Sequence, residues 1–404
     1  MTILRVFIPF ALGYFLSYLL RVVNAVIAPD LIADLGLSAQ QLGLLTSANF
    51  LAFAAFQLPL GILLDRYGPR RTEAALLLFA AAGAFVFATA GGTSGLIFGR
   101  ALIGLGTSAC LMAAFKAYVM WFPAECIPMV NGLQMAAGGL GAITGTAPVE
   151  FALNFTDWRG IFMVFGGMAL AFSAIIYLVV PKRSGTDSVP GTFAEQIDGF
   201  RQIFRSRDFW RIAPLTVASQ CAFLGTQSLW SGPWLKDVAG LPREAVADAL
   251  LLIACAMVAG FLGLGAITSR LSRVGVKPIN VALVGMTAFV IVQACLVAQW
   301  TEAALPLWML FGFFGTTGIL PYAVLPTYFP AGFAGRVITG MNVMVFFAAF
   351  AGQWGQGAII NLWPTAADGR YSADGYQAAF AVIMAIQVAG LAWYGLFRPK
   401  LTTN

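Results

Sequence analysis

The stretch Gly61-Ile62-Leu63-Leu64-Asp65-Arg66-Tyr67-Gly68-Pro69-Arg70-Arg71 is a short cationic turn set between two apolar runs, each long enough to cross a bilayer. A weaker copy, Leu271-Ser272-Arg273-Val274-Gly275-Val276-Lys277, stands about half the chain later. It repeats the spacing of Leu64, Asp65, Arg66, Gly68 and Arg70, with Ser272 in the place of Asp65. One turn occurring twice at half-chain spacing predicts two homologous halves of six spans each.

Composition leads to the same place independently. Of 404 residues, 60% are hydrophobic and 10% charged, with a mean hydropathy of +0.84. An ordinary soluble domain carries about 25% charged residues, so this chain requires a bilayer as solvent. At about 20 residues per span, twelve spans leave only short loops. The net charge of +6 then reads as basic loops setting topology, not as a nucleic-acid surface. Cys110, Cys126, Cys221, Cys255 and Cys295 are scattered with no CxxC spacing, which argues against a disulfide framework or a metal cluster. Histidine is absent, so any proton coupling falls to carboxylates or to the substrate itself. Arg5 precedes an apolar run that carries Arg21 and shows no small-residue cleavage pattern before Pro29, so this segment reads as an uncleaved first helix.

The expected architecture is an all-α membrane protein with spans at 4–28, 40–64, 73–91, 94–119, 130–153 and 160–180, then 209–230, 243–268, 278–299, 304–326, 337–361 and 377–397. The predicted domains are an N-terminal six-helix bundle at 1–180, a cytoplasmic linker at 181–208 and a C-terminal six-helix bundle at 209–404. In the linker, Phe193, Ile197, Phe200 and Phe204 give the part from Thr192 to Arg207 an amphipathic helical period. Assigning loops to alternate sides puts Arg66, Arg70, Arg71, Lys182, Arg201, Arg270, Arg273, Arg336 and Arg398 together, and leaves Arg159, Lys236, Arg243 and Arg370 opposite. The asymmetry predicts both termini in the cytoplasm and an inner-membrane location.

The residues Gly61, Asp65, Arg66, Gly68 and Arg70, in a duplicated twelve-span pattern covering nearly the whole chain, resemble the loop between the second and third helices of the major facilitator superfamily. The resemblance implies two pseudo-symmetric bundles around a central cavity and a conformational role for these residues. Asp65 would lie by the N-terminus of the eleventh helix, where the helix dipole favours negative charge, and latch one state. The plainer reading is that Arg66, Arg70 and Arg71 fix orientation, which would not by itself need Gly61, Asp65 or Gly68.

Arg21 is the sharpest site signal. A charge deep in a span costs roughly 2.5 to 3.5 kcal/mol on insertion scales, so it must face water or a partner. Tyr14, Ser17, Tyr18, Arg21 and Asn24 recur at steps of three and four on one helix stripe. A guanidinium among hydroxyl and amide groups suits bidentate binding of a carboxylate or phosphate. The competing reading is a buried ion pair with Asp30, Asp34 or Glu150. The words Gly13-Tyr14-Phe15-Leu16-Ser17-Tyr18-Leu19-Leu20-Arg21-Val22-Val23-Asn24 resemble the first helix of the superfamily's organic anion and organophosphate transporters, in which an arginine at this position contacts the anion. Those organophosphate antiporters carry a second arginine in the seventh helix; Phe223-Leu224-Gly225-Thr226-Gln227-Ser228-Leu229-Trp230 has none. A single arginine fits a carboxylate better than a phosphate dianion.

Arg100, followed by Gly104 and Gly106, matches the superfamily's fourth-helix arginine, for which the resemblance implies coupling; the alternative is an arginine snorkelling to the interface. Lys116, near Trp121-Phe122-Pro123, reads as an interfacial anchor or a second anion contact. The fifth span, with Gly132, Gly138, Gly139, Gly141 and Gly145, reads chiefly as a close helix-packing surface. Glu150 near its end is the carboxylate placed for proton coupling, against a loop-facing surface role. In the second half, Gln220, Gln227, Thr316, Thr317, Tyr322, Asn342, Gln353 and Gln356 are costly in lipid and either line the cavity or join helices.

Taken together, the residues predict a single-chain secondary transporter, with no cofactor, that moves a small organic anion coupled to a proton or counter-anion. Arg21, Tyr14, Tyr18, Asn24, Gln227, Tyr322, Asn342 and Gln353 are the substrate-binding candidates, and Arg100, Glu150 and Lys116 the coupling candidates. A proton-coupled drug or metabolite exporter and a transporter-like sensor are the alternatives. No GxxxxGK[ST] loop occurs, and nothing in the chain points to catalysis.

Overall fold

The computed structural model describes residues 3–182, 201–330, 333–366 and 369–397. Nine helices among the described residues are long and apolar enough to cross a membrane. One of them, Ala39–Thr89, runs for 51 residues and contains both the second and third spans. The fifth and seventh spans are broken helices, Ile127–Thr144 with Ala147–Ala152 and Arg207–Gly225 with Thr226–Trp230 and Ser231–Asp237. With these the described residues make twelve spans.

The turn at the start of the third span is tighter than the sequence implies. No loop separates the two helices; Gly68 alone leaves helical geometry, at φ 75° and ψ 166°. That region is open to glycine and strained for other residues. Thr72 Oγ1 donates to Leu63 O at 3.0 Å across the bend. Gly275 has φ 88° at the matching place in the second copy.

The chain divides into two compact units, Met1–Thr192 with Glu244–Leu251, and Phe193–Arg243 with Leu252–Asn404. Most of the linker helix expected from Thr192, with Phe193, Ile197 and Phe200, falls on 183–200, outside the described residues. Residues 201–205 are helical.

Polarity is arranged inside out. Leu178 and Val284 are 76% and 72% exposed, while Asn24, Glu73, Gln134, Gln353 and Gln387 are fully buried. In water such a surface would aggregate; in hydrocarbon it is the solvated face, and the polar groups must find partners within the protein. In the first unit, Tyr118 Oη donates to Gln134 Oε1 at 2.6 Å and Gln134 Nε2 to Phe10 O at 3.2 Å, joining the fourth, fifth and first spans. In the second, Gln293 Nε2 donates to Gln387 Oε1 at 2.5 Å, joining the ninth and twelfth.

Irregular helical turns recur in both halves. In the first span (Ile3–Val22) the helical hydrogen-bond pattern is irregular at Val23, whose φ and ψ stay helical, and in the seventh at the π-helical turn Thr226–Trp230. The fourth is irregular in the same way at Ser108 and Ala109, between Thr93–Thr107 and Cys110–Trp121, and the tenth at the 3-10 turn Thr316–Ile319. These pairs match at the spacing that separates Gly68 from Gly275. The fifth span also breaks, at Gly145 and Thr146, whereas the eleventh, Ala334–Ile360, is continuous.

Candidate functional site

Discontinuous helices at equivalent places in two repeats are the strongest backbone pointer to a transport site, because broken helices offer polar groups at membrane depth. Arg21 lies two residues before the irregular turn at Val23. Its guanidinium carbon is 4.7 Å from the centre of the Tyr18 ring and 5.7 Å from that of Phe53, and the residue is 9% exposed. Tyr14 meets Tyr18 edge to face at 5.1 Å. Gly138 of the fifth span lies against both rings, so a glycine-bearing helix backs the aromatic stripe. The stripe read from the sequence is thus a packed platform whose strong charge is Arg21.

Its members diverge in use. Asn24 Nδ2 donates to Thr46 Oγ1 at 2.9 Å, which ties the helix beyond Val23 to the second span. Tyr14 Oη points to Met135 Sδ at 3.6 Å. Asp34, a candidate partner for Arg21 on sequence grounds, accepts from Trp158 Nε1 at 2.9 Å and Arg159 Nη1 at 2.8 Å. Those two bonds hold its carboxyl below the usual carboxylate range.

Arg100 does not snorkel. It is 1% exposed, donates to Leu20 O at 2.6 Å, and lies over Phe87 and Phe162, which stack at 4.2 Å. The Leu20 carbonyl belongs to the turn just before Val23, so Arg100 braces the segment that carries Arg21. The glycines after it serve close packing: Gly104 lies on the Asn49 backbone and Gly106 on that of Ala80.

The turn residues act within the first unit. Lys116 Nζ contacts Asp65 Oδ1 at 2.5 Å and donates to Leu64 O at 2.9 Å, which gives Lys116 a specific partner in the turn. Arg70 Nε donates to Tyr177 O at 2.8 Å, and its guanidinium covers that ring. Arg66 stays exposed beside Tyr67, and Gly61 is half-buried on the second span. The Asp65 and Lys116 side chains are 44% and 31% exposed, so their bridge contributes little to stability, within about 1 kcal/mol. We expect Asp65→Asn to leave the melting temperature nearly unchanged while slowing counterflow. A large loss of stability, or wild-type flux with the pair removed, would give the aspartate a purely structural role or none.

In the second unit Gln353 is engaged, its side-chain amide donating to Ser228 Oγ at 2.7 Å and its backbone carbonyl accepting from Trp230 Nε1 at 3.0 Å. Gln356 accepts from Thr226 at 3.1 Å. Both bind the eleventh helix to the π-turn of the seventh. Among the described residues the Gln227 side chain, within that turn, meets Met257 Sδ at 3.8 Å; Tyr322 and Asn342 are partly exposed. Glu150 is partly exposed on the short helix Ala147–Ala152.

Sequence reasoning missed Glu73, which is fully buried. The signal is present: Glu73, Leu77, Ala80, Ala84 and Phe87 follow steps of four and three, and all are 0% exposed. A third span that begins at 73 puts the carboxylate at an interface, whereas the continuous helix carries it into the bundle.

A profile of the Major Facilitator Superfamily matches residues 10–353. The hexuronate transporter of Escherichia coli is 28% identical over 251 residues, which is 58% of this chain and 58% of that protein, so the match spans a little over half the relative's length. The hexuronate transporter of Bacillus subtilis is 25% identical over 396 residues, 92% of this chain and 91% of that one. A probable sulfoacetate transporter of Cupriavidus necator is 26% identical over 266 residues, 62% and 61% of the two chains. Among solved structures, a bacterial homolog of the human lysosomal transporter Spinster, inward-facing, superposes with a TM-score of 0.76 at 18% identity, covering 97% of this chain and 96% of its own. A D-xylose-proton symporter does so at 0.78 and 14% identity over the full length of both. At such identities the structural likeness speaks for the fold alone. A profile that runs from the first span to the eleventh, across a duplicated turn and paired helix irregularities, makes this multi-pass chain a member of the Major Facilitator Superfamily of membrane transporters.

Proposed function

We propose that the protein is a secondary active transporter of a small organic anion, a carboxylate of the sugar-acid kind, working by alternating access with a proton or counter-anion as coupling partner. Arg21 carries this reading: it is a strongly basic group on an aromatic platform, beside an irregular helix turn, in the span where a planar fork can hold a carboxylate at two points. Relatives named for hexuronate and sulfoacetate transport support the anionic class. Tyr14 and Tyr18 shape the platform. Asn24 and Gln353 join helices through their amide nitrogens, while Asn24 Oδ1 and Gln353 Oε1 have no hydrogen-bond partner among the described residues, so both stay binding candidates with Gln227, Tyr322 and Asn342. The excess of arginine and lysine on one set of loops supports an inner-membrane protein, acting as one chain, with both termini cytoplasmic.

Counterflow in proteoliposomes tests the proposal. Vesicles loaded with D-galacturonate or D-glucuronate should take up the labelled acid, and the corresponding neutral hexoses should not compete. Exchange of cationic or neutral drugs instead would make the protein an exporter, and anion binding without exchange would make it a sensor.

A further inference from the structure

Glu73 differs from Gln134, Asn24 and Thr46 of its bundle in having both side-chain oxygens without an ordinary partner. Gln134, Asn24 and Thr46 are buried and each has a partner on another helix. Glu73 is 0% exposed and, among the described residues, neither of its carboxylate oxygens has a hydrogen-bond partner of ordinary geometry. Room for it is made by Gly13 on the first span, where an added Cβ would collide with Glu73 Oε1 and approach Ile176 Cδ1. The Cys110 thiol lies beside the carboxyl as a weak donor from the fourth span. Tyr118, from the same span, is within Coulombic reach, but its hydroxyl is committed to Gln134. Arg21 and Tyr14 of the first span interact with that same Cys110. The sixth span presents Ile176, and its Ser173 is taken by Ala74 O.

An ionised carboxylate whose one neighbouring donor is a weak thiol is among the most unfavourable groups to bury, so stability does not account for it. Such a pocket suits the neutral acid, and the thiol beside it, Cys110, is the one that Arg21 of the aromatic platform also reaches. We propose that Glu73 is a proton-binding site whose occupancy is linked, through the charge on Arg21, to binding of the anionic substrate.

The linkage has a definite sign, and it rests on the anion reading of Arg21. With no anion bound, the positive field of Arg21 favours loss of the Glu73 proton to water. A bound carboxylate cancels that field, and the proton is retained. Binding linkage is reciprocal, so a protonated Glu73 tightens anion binding, and proton and anion travel in the same direction. Coupling of this kind corresponds to about 5- to 150-fold in affinity.

Purified full-length protein decides the matter with two readouts. The first is D-glucuronate affinity across pH. In the wild type it should fall at least about fivefold as pH rises. In Glu73→Gln, a neutral isostere, it should stay at the tight value at every pH, with counterflow kept and proton-driven accumulation lost. The second is the infrared carboxylic acid C=O band, which needs no substrate: a titrating band should be present in the wild type and missing in Glu73→Gln. Should Glu73→Gln fail to fold, Glu73→Asp must move both the band and the pH midpoint. A pH dependence that survives in Glu73→Gln, or a band unchanged by either variant, overturns the proposal. Failure of wild-type protein to bind any hexuronate would instead remove the anion reading of Arg21, and the infrared result would still decide whether Glu73 binds a proton.

Discussion

Arg21→Gln is expected to abolish hexuronate-induced thermal stabilisation while the protein stays folded and monodisperse. A hydrogen bond to a charged group contributes about 1.5 to 3 kcal/mol, so losing a two-point contact should weaken binding by two orders of magnitude or more. Arg21→Lys separates charge from shape. The lysine keeps the positive charge but replaces a planar fork, whose carbon lies 4.7 Å from the centre of the Tyr18 ring, with a compact ammonium that cannot stack. A loss of about tenfold is expected for that variant, intermediate between wild type and glutamine. Structural pairing with a buried acid would give the opposite pattern: near-normal binding in the lysine variant and poor folding in the glutamine variant, because an uncompensated carboxylate would remain. Undiminished hexuronate binding by well-folded Arg21→Gln would end the organic-anion assignment and favour the exporter.

What the sequence disclosed about this fold follows from how few charges a membrane span tolerates. Arg21 and the turn around Asp65 stand out against an apolar background, and a repeat at half-chain spacing needs no structure to be seen. Pairing between helices is different. Nothing in the period of the fourth span says that Lys116 meets Asp65 rather than lipid headgroups, or that Arg100 reaches the carbonyl of Leu20; such pairings depend on how far one helix slides past another. Asn24 illustrates the limit: it shares the stripe of Arg21, yet its amide goes to Thr46 of the second span, a pairing that the helical period does not give. Glu73 was hidden by a boundary. With Gly68 as the only non-helical residue of the turn, the third span begins earlier than hydropathy implies, and the carboxylate falls inside it.

The fifth helix offers a control within a single element. Gly141 and Gly132 lie on the same helix, Ile127–Thr144, so replacing either by valine carries the same change in helix propensity and adds the same side chain. At Gly141 a Cβ would run into the backbone of Phe15 on the first span, whose carbonyl cannot move aside without shifting the helix. At Gly132 nothing lies within 4 Å. Small residues let membrane helices approach backbone to backbone, and this approach sets the first span, with its Tyr14, Tyr18 and Arg21 stripe, against its neighbour. Overpacking of this kind costs about 1 to 3 kcal/mol and more where backbone is struck. Gly141→Val is therefore expected to yield little monodisperse protein, and what is recovered should have a lowered melting temperature and no hexuronate response. Gly132→Val should match the wild type in yield, melting temperature and binding. Equal behaviour of the two variants would mean that the first and fifth helices do not meet at Gly141, and the aromatic platform would lose the wall that holds Arg21 in place.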